Sequence, residues 1–464
     1  MQFKIAAFRQ LGYATMLGLV LLSALFYKER AVFVDVAFQT FLMINEGTVQ
    51  VMVNRFGAAL VQLLPLLAIK LEAPLALVSF CYSISFTLLY LLVYHLIVRY
   101  FKNDYLGWTL IFLYTLMIFD GFYWPPSELQ QGLAVLLLFW AFLLRYPQLD
   151  RAWVWAIVVP AQIALAYYHP LVFIPFFFLW AFFALHFQQQ LWHKRYWLLA
   201  VLMVLVLAFK SKFSPNWYDA AKYASFLENL ESYFPNYLAL PANVKFLENC
   251  GSVWYFFPLL LFVNTMVYLR RRAWLKTGLM WAACLGFLFL VHIGSPNASY
   301  RFYFEITYMP LMVFVGAPFM FDVAHKLLPE KQLIGLFAVA MLWRLAVIAL
   351  NHQPFTARLH WLEANAKKGA AQENTNRLLW SYYDVPMDTL LMTWGIPYES
   401  LLLTAMAHPD SAKTIYVAPD FQRYEQELHT DTVFLSDFKA YPSNSLNSRY
   451  YRLPNAPYRK IERK

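Results

Sequence analysis

The sequence predicts an all-α polytopic membrane protein of about eleven transmembrane helices, with a long first outer loop of two amphipathic helices and a small C-terminal α/β domain. Three observations carry that prediction. Of the 464 residues, 61% are hydrophobic and only 14% charged, whereas a soluble domain carries about 25% charged residues. Apolar runs of about 17–25 residues, the length that crosses a bilayer core, recur through residues 1–350. From about Asn351 the composition turns polar. The formal net charge of +10 does not require nucleic acid as a partner. Lys and Arg gather in the inward loops of membrane proteins and beside anionic headgroups.

In chain order, Lys4 and Arg9 precede an apolar run from Leu11 to Phe26, the layout of a signal sequence. No small-x-small cleavage site follows before YKER, so the run reads as an uncleaved anchor. The outer loop 28–73 comes next. Its second half, GAALVQLLPLLAIKL over residues 57–71, holds Gln62 and Pro65 and is short for a span of about 20 residues. Charge decides its placement. If this run lies on the membrane surface, Arg99, Lys102, Arg145, Arg151, the His193–Lys194–Arg195 cluster, Arg270–Arg271–Arg272 and Lys326 all face the cytoplasm. If it spans, the triple arginine faces outward, against the positive-inside rule. Surface placement therefore sets the N-terminus inside and the C-terminal domain outside.

Four outer segments follow from that topology: FDGFYWPPSELQ, YYHP, the loop 212–250 and GSPNASYRFYFE. The loop 212–250 is punctuated by Pro215, Pro235 and Pro241 around short helical pieces. Residues 1–350 thus form the transmembrane domain and 351–464 the exoplasmic domain. In the latter, HQPFTARLHWLEANAKKGAAQENTNRLL is a polar helix by pattern and WGIPYESLLLTAMAHP a second helix, while TIYVAP and TVFLSD read as short strands. No GxGxxG and no P-loop occurs, which excludes an ATP-driven pump of the usual kind. Cys81, Cys250 and Cys284 form no CxxC pair, and the two that lie in apolar helices are read as small buried hydrophobes.

Every candidate functional residue falls on the outer side. Asp35, Glu46 and Arg55 stand in an apolar, aromatic segment beside the membrane, where burying them costs desolvation. A carboxylate such as Asp35 can accept a proton from a hydroxyl, or hold a divalent cation (Mg or Mn) that neutralises a phosphate; the plainer alternative is a solvated helix cap. Glu128 follows Pro125–Pro126–Ser127 at a helix start, as a second acid or simply as part of a well-capped turn. His169 precedes Pro170 and serves either as a site residue or as a packed turn. Arg301 and Glu305 are one turn apart, so Arg301 either grips a phosphate or pairs with Glu305. No metal-ligand spacing appears.

The layout resembles the GT-C superfamily of integral-membrane glycosyltransferases. The likeness rests on an inward N-terminus, one span, and a first outer loop with two surface helices and an acid near its start. Asp35 in FVDVAF matches the acidic position, and INEGTVQVMVNRFGAALVQLLPLL matches the second surface helix. The likeness is most specific over residues 1–100. It departs in having one acid in the first loop instead of a pair, and in lacking the WWDYG signature of oligosaccharyltransferases. The resemblance implies transfer of a sugar from a polyprenyl-phosphate-linked donor to a glycan, lipid or protein acceptor on the outer face. Asp35 would be general base or cation ligand, Arg301 or Arg55 would hold the donor phosphate, and the lipid tail would lie between spans. Compact loops and the lack of a retrieval signal favour a bacterial inner membrane. Competing readings are a polysaccharide polymerase or ligase of the cell envelope, a non-enzymatic assembly factor, and a transporter. The last would place ionisable residues at mid-span in two related halves, which the sequence does not show.

Overall fold

An apolar run inside a bilayer can satisfy its backbone only by closing into a helix, and the chain follows that rule. The computed structural model describes residues 3, 5–188, 193–418 and 424–461 and is mostly helical, at 73%. It opens with α1 (Ala7–Leu25) and the short α2 (Tyr27–Ala31), followed by α3 (Val34–Glu46) and α4 (Ala59–Lys70). Six helices come next: α5 (Leu75–His95), α6 (Asp104–Thr115), α7 (Glu128–Arg145), α8 (Ala152–Ala166), α9 (Phe173–Phe187) and α10 (Lys194–Phe213). Two helices, α11 (Trp217–Tyr233) and α12 (Pro241–Ser252), fill the loop 212–250. The membrane part closes with α13 (Phe256–Arg270), α14 (Trp274–Gly294), α15 (Arg301–Pro318), α16 (Ala324–Leu327) and α17 (Glu330–Leu350).

Among the described residues, eight helical stretches are long and apolar enough to cross a membrane, or nine if α12 and α13, bent by 86°, count as one. About eleven were expected. The shortfall is α6, of 12 residues, and α8, of 15. At 1.5 Å per residue these reach only about 18 and 22 Å of a core of about 30 Å. A turn at Asp120–Phe122 follows soon after α6 and carries the chain toward the site described below.

The stretch Arg301–Leu327 is the axis of the bundle, with 94% of its apolar window buried, against 22% for α10. Around it α1 packs on α5 and α17. Aromatic rings lock that junction, with Trp108 lying 4.7 Å from Phe337 and 6.1 Å from Phe8 between ring centroids. Side-chain caps fix several helix starts: Asn103 accepts from the Leu106 N–H and Asn216 from the Asp219 N–H.

The two helices of the first loop differ from one another. On α4 and its C-cap, Leu60, Leu63, Leu67 and Leu71 form an exposed apolar stripe, as a helix lying on a membrane surface requires. By contrast, α3 lies on no open surface. Nine of its thirteen residues are buried, and the C-terminal region covers it.

That region consists of α18 (Gln353–Glu373), β1 (Arg377–Ser381), α19 (Met387–Leu390), α20 (Ile396–Ala405), β2 (Thr414–Ala418), β3 (Val433–Leu435), β4 (Ala440–Pro442) and β5 (Arg459–Lys460). Strands β2, β1 and β5 form a parallel sheet in that order, while β3 and β4 pair as an antiparallel hairpin. The polar helix was expected to run through NRLL. Instead, Asn374 takes a left-handed conformation (φ 47°) after α18 ends, and RLLWS becomes β1. The reason is burial: Leu378 packs with Leu362 and Ala366 of α18 and Ile415 of β2. Packing of α20 on α3 joins this region to the first loop.

Candidate functional site

The site begins with the backbone at the start of α3. Val34 has φ 32°, a conformation that a β-branched residue adopts only under constraint. The constraint comes from the C-terminal region. Glu399 Oε1 accepts the Val34 N–H at 2.8 Å, and Arg358 grips the same carboxylate through Nε and Nη2, each at 2.8 Å. Both side chains are almost wholly buried, at 1% and 0% exposed, and the guanidinium stands 5.2 Å from the Phe33 ring centroid. Gly395 makes room for this approach, since a Cβ there would lie 2.7 Å from Val34 Cα. Gly395→Ala is therefore expected to destabilise the protein by about 1–3 kcal/mol through overpacking. An unchanged midpoint in chemical denaturation would contradict that contact.

Asp35, the next residue, is half-buried. Its Oδ2 accepts the Trp124 indole N–H at 2.8 Å, and the Tyr303 hydroxyl lies near enough to favour its charged form. Trp124 and Tyr303 meet edge to face, 4.4 Å between ring centroids. These residues come from distant segments, Trp124 from the turn ahead of Pro125–Pro126 and Tyr303 from the first turn of α15. Burial pushes the Asp35 carboxyl up to about 6, against the pull of the Trp124 bond and the Tyr303 hydroxyl, and the negative charge of Glu399 adds to the rise. A carboxylate tuned there is ionised at neutral pH yet ready to take a proton. One turn on, Gln39 accepts the hydroxyl of Tyr82 from α5.

Glu128 opens α7 behind its Ser127 cap, whose hydroxyl accepts the Leu129 N–H at 3.3 Å. It lies close enough to Asp35 for their charges to act on each other. Arg55 bridges Glu128 Oε2 at 3.2 Å and Asp219 Oδ1 at 3.0 Å, with Tyr218 against its guanidinium. Helix α11 thus reaches over the site. The His169 Nδ1 caps the Leu171 N–H at 3.1 Å. Burial, with Arg55 and Lys210 nearby, holds this imidazole well below the usual histidine range, so it stays neutral. The structure therefore gathers Asp35, Glu128, Arg55 and His169 into one neighbourhood.

The other three sequence candidates stand apart. Glu46 is eleven residues beyond Asp35 on α3, about 16 Å along the helix, and accepts from Gln50 Nε2 at 3.0 Å. Arg301 and Glu305 do not pair with one another. Arg301 holds Asp120 in a fork, with Nε at 2.6 Å and Nη2 at 3.0 Å. Glu305 accepts the backbone N–H groups of Phe119 and Gly121 at 2.8 and 2.6 Å and the Trp254 indole at 3.2 Å. The acid–base spacing on α15 is real, but both partners reach across to the turn 119–121 and fix it.

Sequence reasoning missed Trp124, Tyr303, Asp219 and the Arg358–Glu399 pair as parts of the site. Asn216–Trp217–Tyr218–Asp219 carries a visible signal, but of a helix cap. Nothing local marks the others. For a cation, among the described residues no three His, Cys, Asp or Glu side chains converge. Asp35 and Glu128 are the two carboxylates of this neighbourhood, and Glu128 already has Arg55 on its Oε2; an Mg²⁺ or Mn²⁺ ion there would keep waters and take the rest of its shell from a phosphate. No protein-family model matches the chain, and neither a curated protein nor a solved structure matches it.

Proposed function

We propose that this protein is a membrane glycosyltransferase of the GT-C kind, moving a sugar from a polyprenyl-phosphate-linked donor to an acceptor hydroxyl on the outer face of a bacterial inner membrane. The observation that carries the reading is the environment of Asp35. It is a half-buried carboxylate raised to about 6, aimed by an indole N–H, with aromatic rings around it. Glu128, from a different segment, lies within reach of its charge and would be the second acid.

In this reading the acceptor oxygen attacks the anomeric carbon and the new C–O bond forms as the bond to the lipid phosphate breaks. The phosphate leaves with the bonding electrons, the acceptor proton passes to Asp35, and the configuration inverts. Arg55 is held by Glu128 and Asp219, so its part is to set the position and charge of Glu128. In the alternative role, Asp35 would be a ligand of an Mg²⁺ or Mn²⁺ ion that neutralises charge on the leaving phosphate. The aromatic walls of Trp124, Tyr303 and Tyr218 suit a sugar face, and the outward placement of the C-terminal region follows from the charge distribution of the loops.

The test is transfer of labelled sugar from a mixture of polyprenyl-phosphate sugars in proteoliposomes. Wild type is expected to transfer, and Asp35→Ala is expected to fall by about 10²–10⁴-fold with its fold intact. Equal transfer by Asp35→Ala would remove Asp35 from the chemistry. Glu128→Gln is expected to lower transfer too, and chelation by EDTA followed by Mg²⁺ or Mn²⁺ addition reads the cation requirement. Recovery on re-addition assigns the carboxylates to an ion, whereas full activity in EDTA leaves Asp35 as the base alone.

A further inference from the structure

The first turns of α15 present two faces. Phe302 and Tyr303 look toward Trp124, at ring-centroid distances of 5.6 and 4.4 Å, and so toward Asp35. Arg301 and Tyr308 look the other way, into a cavity of about 180 Å³ walled also by Lys245, Phe246, Asn249 and Trp254. The sequence offered Arg301 as a grip on the donor phosphate, but the reading centred on Asp35 gives it and the other walls no part.

The charge of this cavity is one-sided. Among the described residues it is lined by two cations and no carboxylate. The acids nearby stand behind its wall, Asp120 on the Nε and Nη2 edge of Arg301 and Glu305 on the indole of Trp254. These contacts hold the guanidinium and the indole rigid and leave Nη1 of Arg301 outside the fork. Lys245 Nζ is anchored by the carbonyls of Asn297 at 2.6 Å and Ala298 at 3.4 Å, which leaves one of its three donors. Asn249 is itself held, donating to the Lys245 carbonyl at 2.7 Å. A fixed guanidinium beside a fixed ammonium, both with spare donors, is the donor set for a phosphate. The cavity is roomy enough for a phosphate or pyrophosphate with the first atoms of its ester.

We infer that the Lys245–Arg301 cavity binds the phosphate or pyrophosphate group of a phosphorylated molecule, at a site separate from Asp35. The ester arrives either as a soluble compound or as a lipid headgroup, and Phe246, Trp254 and Tyr308 line the side that its carbon atoms would touch. The inference stands whether or not Asp35 transfers sugar.

The test is thermal unfolding of the full chain in phosphatidylcholine nanodiscs at low salt, titrated with pyrophosphate and with glycerol phosphate. A parallel series uses nanodiscs doped with phosphatidylglycerol. Wild type is expected to show a saturable rise in midpoint. Asn249→Asp, which adds a carboxylate to the lining of the cavity, is expected to weaken binding at least tenfold. Lys245→Gln is expected to weaken it about fivefold, and Asp35→Asn not at all. Unliganded midpoints of the variants report whether each still folds. A rise with the soluble esters alone, or with the anionic lipid alone, supports the site and names the source. Equal stabilisation of wild type by pyrophosphate and by sodium chloride of matched ionic strength would overturn it. So would an unweakened response in both Asn249→Asp and Lys245→Gln.

Discussion

Asp35→Asn is expected to abolish transfer and, at neutral pH, to make the protein more stable. The loss of rate follows from removing the base, about 10²–10⁴-fold. The gain in stability follows from linkage. A carboxyl that titrates near 3.8 in the unfolded chain titrates near 6 in the folded one, so between those values the folded state holds a proton that the unfolded state has released. Stability therefore falls as pH rises from about 4 to 6 and stays lower above that, where a charged carboxylate is held half-buried. Asparagine carries no such cost. The variant's thermal midpoint is expected to exceed that of wild type at pH 8 and to converge with it below about pH 4. Equal midpoints at pH 8 would mean that burial does not strain Asp35. Active sites often trade stability for function in this way.

Breaking the Arg358–Glu399 pair is expected to be the costliest single change to the fold. Glu399→Leu leaves a guanidinium 1% exposed with no counter-charge, a loss of about 3–5 kcal/mol, and it frees the Val34 N–H that positions Asp35. The double variant Arg358→Met/Glu399→Leu is expected to regain most of that stability, because two apolar side chains replace both charges. It is not expected to regain transfer, since Val34 still lacks its acceptor. Chemical denaturation and transfer, measured on the same three proteins, separate the two roles. Recovery of both stability and transfer in the double variant would mean that the pair only holds the fold.

Some of this was legible in the sequence and some was not, for physical reasons. Helices such as α5 and α14 announce themselves, because apolar length is a local property. Asp35 and Glu128 were also legible, each as an ionisable group at the edge of an apolar run. That their charges act on one another was not, because Asp35, the turn before α7 and the start of α15 come together from distant parts of the chain. Arg301 and Glu305 show the limit clearly. Four-residue spacing suggested a pair, yet both reach the turn 119–121, whose approach no local pattern encodes. β1 was hidden for the opposite reason, since RLLWS follows a polar helix without a glycine or proline break and Asn374 alone marks the end. Nor could α3 be placed, because its cover, α20, lies some 350 residues away in the chain.

The central claim is that Asp35 takes the acceptor's proton, and the pH dependence of transfer tests it most directly. Initial rates in proteoliposomes at saturating donor, measured from pH 4.5 to 8, are expected to rise along a limb centred near pH 6, where Asp35 loses its proton. That limb is expected to be absent from whatever residual rate Asp35→Asn retains. A wild-type rate that is flat through pH 6, or an identical limb in Asp35→Asn, would contradict the assignment.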